Sequence, residues 1–248
     1  MCSLTAAGLS AQTLTNDNVS PLDGSAFTQA GATYIAPGAS GANVTWDFSA
    51  LDQLSVVSFD YMSPASTPQG SSFPGANIAS VTEGNTSYFN TSAAGYDLHG
   101  IYADGSDALI VYQDPERVLS YPCSYGTTWT DALLSNFELS GYQFERSGTV
   151  SGNADGYGTL IMPYGTVTNV LRVVTVEDYS DVTDLYTTVA MSDAGFGITS
   201  TPMSLRSTSS RPMAAFVVQP APREVLVEPR IVTSALVIVS SGWRIPGL

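Results

Sequence analysis

The sequence predicts an all-β protein, an antiparallel β-sandwich or jelly-roll-like domain with little helix. Short alternating segments rich in Val, Ile, Thr, Tyr and Phe predict strands, and turn dipeptides separate them at intervals of about ten residues. Charged residues make up only 12 % of the chain, about half of their usual share. Polarity comes instead from Ser, Thr, Asn and Gly, a composition typical of extracellular sandwiches.

Alternation of apolar and polar residues marks the individual strands, and Gly marks most of the turns. Gly tolerates the backbone angles that tight turns require. A single helical turn is expected at 131–137. The clearest strands are predicted at 56–61, 108–112, 158–162, 167–176 and 185–191. The turns are predicted at 37–38, 40–41, 74–75, 104–105, 155–156 and 164–165.

The charge of the chain excludes one class of partner. The chain has 22 carboxylates against eight cations, all of them Arg, for a net charge of −14. Nucleic acid would be repelled, because its binding requires a basic surface. Cations, neutral glycans and basic proteins are favoured, although the charge also serves simply to keep a secreted protein soluble. No run of about 18 apolar residues is present, so no transmembrane segment is predicted.

Residues 1–11 are predicted to be the remnant of a secretion signal, which places the protein outside the cell or at its surface. Leu4 to Ala11 is a small, apolar stretch that ends on a small residue. The basic region and the longer apolar segment of a full signal are missing. Cys2 belongs to this predicted leader, which leaves Cys123 as a single buried thiol.

Composition divides the chain near residue 205. Residues 1–205 contain 20 acids and three Arg, whereas residues 206–248 contain two acids and five Arg. We predict a β-sandwich domain at 12–200, with two sub-sandwiches divided near 135–150 as an option, and an atypical tail at 201–248. Three explanations of the tail are open: a linker with a terminal strand, a basic interaction tail, or a segment read in a shifted frame.

Three segments carry a family resemblance. Gly41 to Ser49 reads GANVTWDFS, and Ala154 to Leu160 reads ADGYGTL, followed by Pro163 and Gly165. The third is the next strand, Asn169 to Val173, which reads NVLRV. The chain resembles a family of secreted β-sandwich proteins of Bacteroidetes and flavobacteria over residues 12–200. The resemblance implies export and a β-sandwich, and it implies no activity. Members often carry a C-terminal sorting module, which is not recognisable in this sequence.

A hydrolytic site would depend on His99, the only histidine in the chain. Asp97 lies two residues away, and Ser124 or Cys123 is the candidate nucleophile of a Ser-His-Asp or Cys-His site. The G-x-S-x-G pattern is absent, so a locally hydrogen-bonded strand histidine is the alternative. A glycosidase would need two carboxylates about 5–10 Å apart. Spacing singles out no pair among the candidate acids, which are Asp114, Glu116, Glu138 and Glu145.

Calcium is the metal that the sequence fits best, because several carboxylates lie on expected tight turns. The candidate ligands are Asp104, Asp107 and Asp155, and the alternative is that these are ordinary Asp-Gly turns. One His and two Cys cannot close a tetrahedral zinc site without carboxylates. No other cofactor is predicted.

Aromatic side chains are the candidates for ligand binding. Trp46, Trp129 and Tyr157 could stack on sugar rings or contact a partner, although alternating strands more often bury such residues. The first functional hypothesis is therefore a non-catalytic secreted or cell-surface β-module that binds a glycan, matrix or protein partner. The alternative is a secreted hydrolase, an esterase that uses His99 or a glycosidase that uses paired acids.

Overall fold

The computed structural model describes residues 13–32, 36–183, 188–192, 195–199, 213–217 and 237–239. These residues form fourteen strands, one short α-helix at Asn16–Val19 and three single turns of 3₁₀-helix. The all-β prediction is therefore confirmed. The strands are β1 (Ala26–Ala32), β2 (Gly41–Asp47), β3 (Gln53–Met62), β4 (Ile78–Thr82), β5 (Asn85–Ser92), β6 (Gly95–Ala103), β7 (Ala108–Ser120), β8 (Thr128–Leu139), β9 (Tyr142–Met162), β10 (Gly165–Thr183), β11 (Thr188–Ser192), β12 (Gly195–Thr199), β13 (Met213–Val217) and β14 (Val237–Val239).

Twelve of these strands form one mixed sheet, and β11 pairs with β12 separately. From β3 to β10 each strand is hydrogen-bonded in antiparallel fashion to the next strand of the chain. β1 lies outside β3, and β13 and β14 extend the sheet beyond β10. From β3 to β10 the connectivity is therefore a meander of hairpins, whereas β2 crosses over to pair in parallel with β9.

The strand β9 changes its neighbour halfway along its length. Its first half pairs with β8 up to Asn153, and its second half, from Gly156 onward, pairs in parallel with β2. The turn predicted at 155–156 is therefore wrong, because both residues lie inside a continuous strand. A Cβ at Gly156 would lie 3.0 Å from the Trp46 ring. This glycine thus permits close packing of an aromatic ring instead of reversing the chain.

The helical turn predicted at 131–137 is also wrong, because these residues lie in β8. Leu133, Ser135 and Phe137 are buried at every second position, which is the period of a strand. Hydrogen bonding to β7 and β9 on both sides outweighs the local preference of Asp-Ala-Leu-Leu for helix.

The remaining predicted strands and turns fare better. The segments 56–61, 108–112, 158–162 and 167–176 are confirmed as parts of β3, β7, β9 and β10. Of the segment 185–191, residues 188–191 lie in β11 and the others lie outside the described residues. Turns are confirmed at 74–75 and at 104–105. The turn predicted at 164–165 lies at 163–164, where it joins β9 to β10. In the turns predicted at 37–38 and 40–41, both glycines have positive φ; Gly38 lies before β2 and Gly41 is its first residue.

The largest buried cluster includes the N-terminal end of the described chain. Leu14 exchanges two backbone hydrogen bonds with Cys123, at 2.7 and 2.9 Å, and both side chains are fully buried. Leu171 and Val173 of β10 pack in the same cluster. Burial raises the pKa of Cys123 to about 11. Cys123 is therefore a buried, protonated thiol, as its sequence context predicted.

Several domain predictions fall at or beyond the limits of the described residues. Residues 1–11, predicted to be a leader, lie outside them, as does most of the tail. Two short tail segments are described as strands, and β13 pairs with β10. The optional division near 135–150 coincides with the tip of the β8–β9 hairpin. No helix in the described part of the chain is long and apolar enough to cross a membrane.

Candidate functional site

The long strands β7 to β10 place a band of polar side chains on the buried face of the sheet. Opposite residues of antiparallel strands point to the same face, so the register identifies the rows of this band. One row crosses β8, β9 and β10 through Ser135, Arg146 and Asp181. The next crosses Leu133, Gly148 and Tyr179, and the third crosses Asp131, Val150 and Glu177.

Arg146 supplies positive charge to this band. Its guanidinium donates to both carboxylate oxygens of Asp181, at 2.7 and 2.8 Å. It also lies over the rings of Tyr179 and Phe137, at 4.3 and 5.5 Å from their centroids. Burial opposes the charged form, but the hydrogen bonds and charge of Asp181 outweigh it and raise the pKa of Arg146. Arg146 and Asp181 therefore neutralise one another.

Glu116 of β7 and Glu177 of β10 form a hydrogen-bonded carboxyl pair beside this arginine. Glu116 is only 5 % exposed. Burial, followed by the charge and hydrogen bond of Glu177, raises the pKa of Glu116 to about 8 against the opposing charge of Arg146. Burial also raises the pKa of Glu177. Two carboxyl groups in contact cannot both ionise without strong repulsion, so the pair holds a proton near neutral pH.

This carboxyl pair does not have the geometry of a glycosidase site. The acids of those enzymes lie about 5–10 Å apart so that a sugar and a water molecule fit between them, whereas these two are in direct contact. Of the four acids considered from the sequence, Glu116 alone is buried, and Asp114, Glu138 and Glu145 are exposed. Sequence reasoning missed Glu177, which directly follows the predicted strand 167–176 and lies in the same strand, β10.

The structure does not assemble His99, Asp97 and Ser124 into a triad. Both oxygens of Asp97 accept hydrogen bonds from Arg117. Ser124 lies in the turn before β8, where its backbone N–H donates to Thr127 Oγ1 at 3.0 Å. In the described chain, no hydrogen bond joins His99 to the other two. Burial lowers the pKa of His99, and the charge of Asp97 offsets part of that effect.

Trp46 and Asp155 have structural partners that hold the loop before β2. Trp46 is 2 % exposed, and its indole N–H donates to the Ala39 carbonyl at 2.9 Å. Arg172 donates to the Gly38 carbonyl at 2.7 Å and forms an ion pair with Asp155 at 3.1 Å. Burial raises the pKa of Asp155 in spite of the Arg172 charge. We call this arrangement the loop clamp.

The other aromatic candidates lie at the edge of the core. The Trp129 indole lies across Gly152, where a Cβ would collide with it, and its N–H donates to the Arg117 carbonyl at 3.2 Å. Tyr157 meets Tyr125 edge to face, with the rings inclined at 68°. Such inclined rings do not form the flat platform that stacks on a sugar.

The three carboxylates predicted as calcium ligands do not meet. Asp104 and Asp107 share the turn between β6 and β7, where Asp107 accepts a hydrogen bond from the Tyr102 hydroxyl at 2.9 Å. Asp155 lies on β9 in the loop clamp. Among the residues that the structure describes, no group of three or more His, Cys, Asp or Glu is placed to hold a metal ion.

An exposed apolar surface lies at the other end of the sheet. β1 pairs with β3 from Ala26–Asp60 to Ala32–Gln53, whereas β4 meets β3 only at 60–62. Among the described residues, the side of 53–59 away from β1 therefore has no strand neighbour. We call β1 with β3 the ribbon, and the segment 53–59 its open edge. Sequence reasoning predicted this strand but gave no signal that its edge is unpaired.

The open edge carries exposed apolar side chains on both of its faces. Leu54, Val56 and Val57 are 67 %, 52 % and 41 % exposed. Because side chains alternate along a strand, Leu54 and Val56 face one side and Val57 faces the other. Strands that are apolar on both faces are usually covered on both faces. Asp52 and Asp60, both exposed, flank the segment.

Comparison of the chain with protein-family models, with curated proteins and with solved structures yields no match. The resemblance to secreted proteins of Bacteroidetes therefore stays a prediction.

Proposed function

We propose that this chain is a secreted or surface-exposed, non-catalytic β-module that binds a protein partner by adding a strand of that partner to the open edge of the ribbon. The observation that carries the proposal is that 53–59 has no strand neighbour on the side away from β1 among the described residues, together with its exposed Leu54, Val56 and Val57. An apolar strand edge is a template for another strand, and proteins commonly protect such edges with lysine or proline. This edge has neither residue.

Charge indicates the chemistry of the partner. The first Lys or Arg of the chain is Arg117. All charged side chains before Arg117, including those of the ribbon, are therefore acidic. Asp52 and Asp60 stand at the two ends of the open edge, about 27 Å apart along an extended strand. The matching partner is an extended segment with apolar residues at its centre and Lys or Arg at both ends. In strand addition, backbone hydrogen bonds supply affinity and side chains supply specificity.

A second copy of this chain is a poorer match than a basic strand. Symmetric antiparallel pairing of two open edges about Val56 would align their apolar residues. The same register would place Asp52 of each copy directly opposite Asp60 of the other. Like charges opposite each other on paired strands are destabilising.

A glycan is also less well matched by the described surface. The sugar-stacking candidates are a buried Trp46, a Trp129 packed on Gly152, and a Tyr157 inclined to its neighbour. The uncharged polar composition of the chain supports an extracellular location for binding.

A synthetic ten-residue peptide tests the proposal. Val and Thr alternate at its four central positions, and Lys flanks them on both sides. Calorimetric titration at low salt should show binding, and the affinity should fall as salt screens the flanking charges. Val56→Lys should weaken binding by about tenfold or more, because it adds a guarding charge to the open edge.

Two controls make this result specific. Tyr164→Ser removes another exposed side chain, which is 65 % exposed, from the β9–β10 turn and should leave the affinity unchanged. A peptide with Glu in place of Lys should bind much more weakly. Equal binding of the two peptides, equal affinity of Val56→Lys, or a chain that is dimeric at micromolar concentration would overturn the proposal.

A further inference from the structure

The band of polar residues across β7 to β10 contains more carboxyl groups than cations. The side chains that face Glu116 and Glu177 come from all four strands. Asp131 accepts a hydrogen bond from the Arg117 backbone N–H at 3.0 Å. The Arg146 guanidinium donates two hydrogen bonds to the carboxylate of Asp181. The groups that face the pair are Tyr112 of β7, Asp131 of β8 and Arg146 of β9. Tyr179 and Asp181 of β10 complete the cluster through their contacts with Arg146.

The pair joins two strands that are not neighbours in the sheet. β7 and β10 are separated in the sheet by β8 and β9, so contact between Glu116 and Glu177 links strands that share no backbone hydrogen bonds. Val150, which is 1 % exposed, lies opposite both Asp131 and Glu177 in the register. The two carboxyl groups therefore meet beside an apolar residue of the sheet, where an added negative charge is poorly solvated.

We propose that Glu116 and Glu177 share one proton in the folded protein and that this contact is a pH-sensing device, which ties β7 to β10 in acid and weakens as the proton is lost to solvent. When the proton is present, one carboxyl donates to the other. When it leaves, two negative charges face each other, and Arg146 cannot neutralise both because it is held by Asp181. The fold is therefore most stable under mildly acidic conditions.

The sign of the effect follows from proton linkage. The folded state holds a proton that the unfolded chain has already released at pH values between about 4.3 and about 8. The free energy of unfolding must therefore fall as pH rises through this window. For one proton, the unfolding equilibrium constant rises about tenfold per pH unit.

Urea unfolding of the wild-type protein and of Glu116→Gln at pH 5, 6, 7 and 8 tests this proposal. The glutamine side chain of this variant is neutral at every pH, and its amide can donate to Glu177, so it imitates the protonated acid. The ratio of the wild-type to the variant unfolding constant should rise about tenfold per pH unit. Use of the ratio removes the contributions of His99 and the other titrating groups that the two proteins share.

A matched control is Glu138→Gln, the same change at an exposed glutamate whose carboxylate accepts a hydrogen bond from Gln143 at 2.8 Å. Its stability should follow the wild-type pH dependence. A second measurement tests the proposal even if the variant does not fold. NMR of the side-chain carboxyl carbons of the wild-type protein should show a titration near pH 8 at this pair. Ordinary titration of both carboxyls near pH 4 to 5, or parallel unfolding curves for the wild type and Glu116→Gln, would overturn the proposal.

Discussion

At the scale of single residues, glycines on the buried face of β9 determine how the aromatic side chains pack. Gly152 lies under the Trp129 indole, Gly148 lies against the Tyr179 side chain, and Gly156 lies against the Trp46 ring. A Cβ would collide with the Trp129 indole at Gly152 and would press on the Trp46 ring at Gly156. At Gly148 it would collide with the backbone of Asp178 and Tyr179. The glycines weaken the intrinsic strand preference of β9, and the ring packing compensates for that loss.

The first prediction concerns one of these glycines. Gly152→Ala should lower the free energy of unfolding by about 1–3 kcal/mol, because the new methyl group must displace the indole of Trp129 in a packed region. Urea denaturation followed by circular dichroism measures this change.

The comparison variant for this prediction is Gly105→Ala, whose Cβ would meet no other atom within 4 Å. Its stability should stay within about 0.5 kcal/mol of the wild type. If the two variants prove equally stable, the packing of the aromatic rings does not require glycine in β9.

The same glycines explain what sequence reasoning could and could not find at this scale. Asp155-Gly156 has the composition of a turn, and a turn was the prediction. The glycine instead accommodates Trp46, which is more than one hundred residues away, so no local pattern distinguishes the two uses. The pairing of Glu116 with Glu177 was equally out of reach, because it joins β7 and β10, which are not neighbours in the sheet. The burial of Cys123, in contrast, follows from its apolar character alone.

At the scale of elements, the loop clamp fixes the connection that leads into β2. Arg172 reaches from β10 to the carbonyl groups of Pro37 and Gly38, at 3.3 and 2.7 Å. Asp155 of β9 balances its charge. The parallel pairing of β2 with β9 thus rests on an arginine from a third strand, beside the contacts of Trp46.

A second prediction tests this clamp. Arg172→Ala should lower the free energy of unfolding by about 3 kcal/mol, because it leaves a largely buried carboxylate without a counter-charge. Asp155→Ala should cost less, since Arg172 keeps its two carbonyl partners. Denaturant unfolding of both variants and of the double variant measures the coupling between the two side chains.

The double variant should be more stable than the sum of the two single effects predicts, by about 1 kcal/mol or more. Strict additivity would mean that the ion pair between Arg172 and Asp155 contributes nothing to the attachment of β2.

The sequence predicted the positions of single strands better than any other feature. Four predicted strands lie within β3, β7, β9 and β10 because their alternation of apolar and polar residues reports burial on one face. The helical prediction at 131–137 failed because the segment Asp-Ala-Leu-Leu is short and its local preference is weak beside two flanking strands. The length of β9 was also underestimated, because its internal glycines read as interruptions.

At the scale of the whole molecule, the sheet has an interior that is rich in polar contacts, and among the described residues one side of β3 is open over 53–59. Arg117, Arg146 and Arg172, the only cations before residue 205, each bind a carboxylate within the sheet. None of them lies in the ribbon, which keeps the negative charge of its flanking acids. The composition predicted the fold class, but it could not locate the open edge, because strand order is a property of the assembled sheet.

Among the described residues, the backbone of 53–59 is unpaired on the side away from β1, and we propose that it is available to a partner strand. Hydrogen exchange of single amides, followed by NMR in the free protein and with the basic peptide, measures whether this edge is free. Every second amide of this segment points away from β1. These amides should exchange as fast as loop amides in the free protein and become protected when the peptide is added. Protection of all amides of 53–59 in the free protein would show that the edge is already covered, and it would contradict the account.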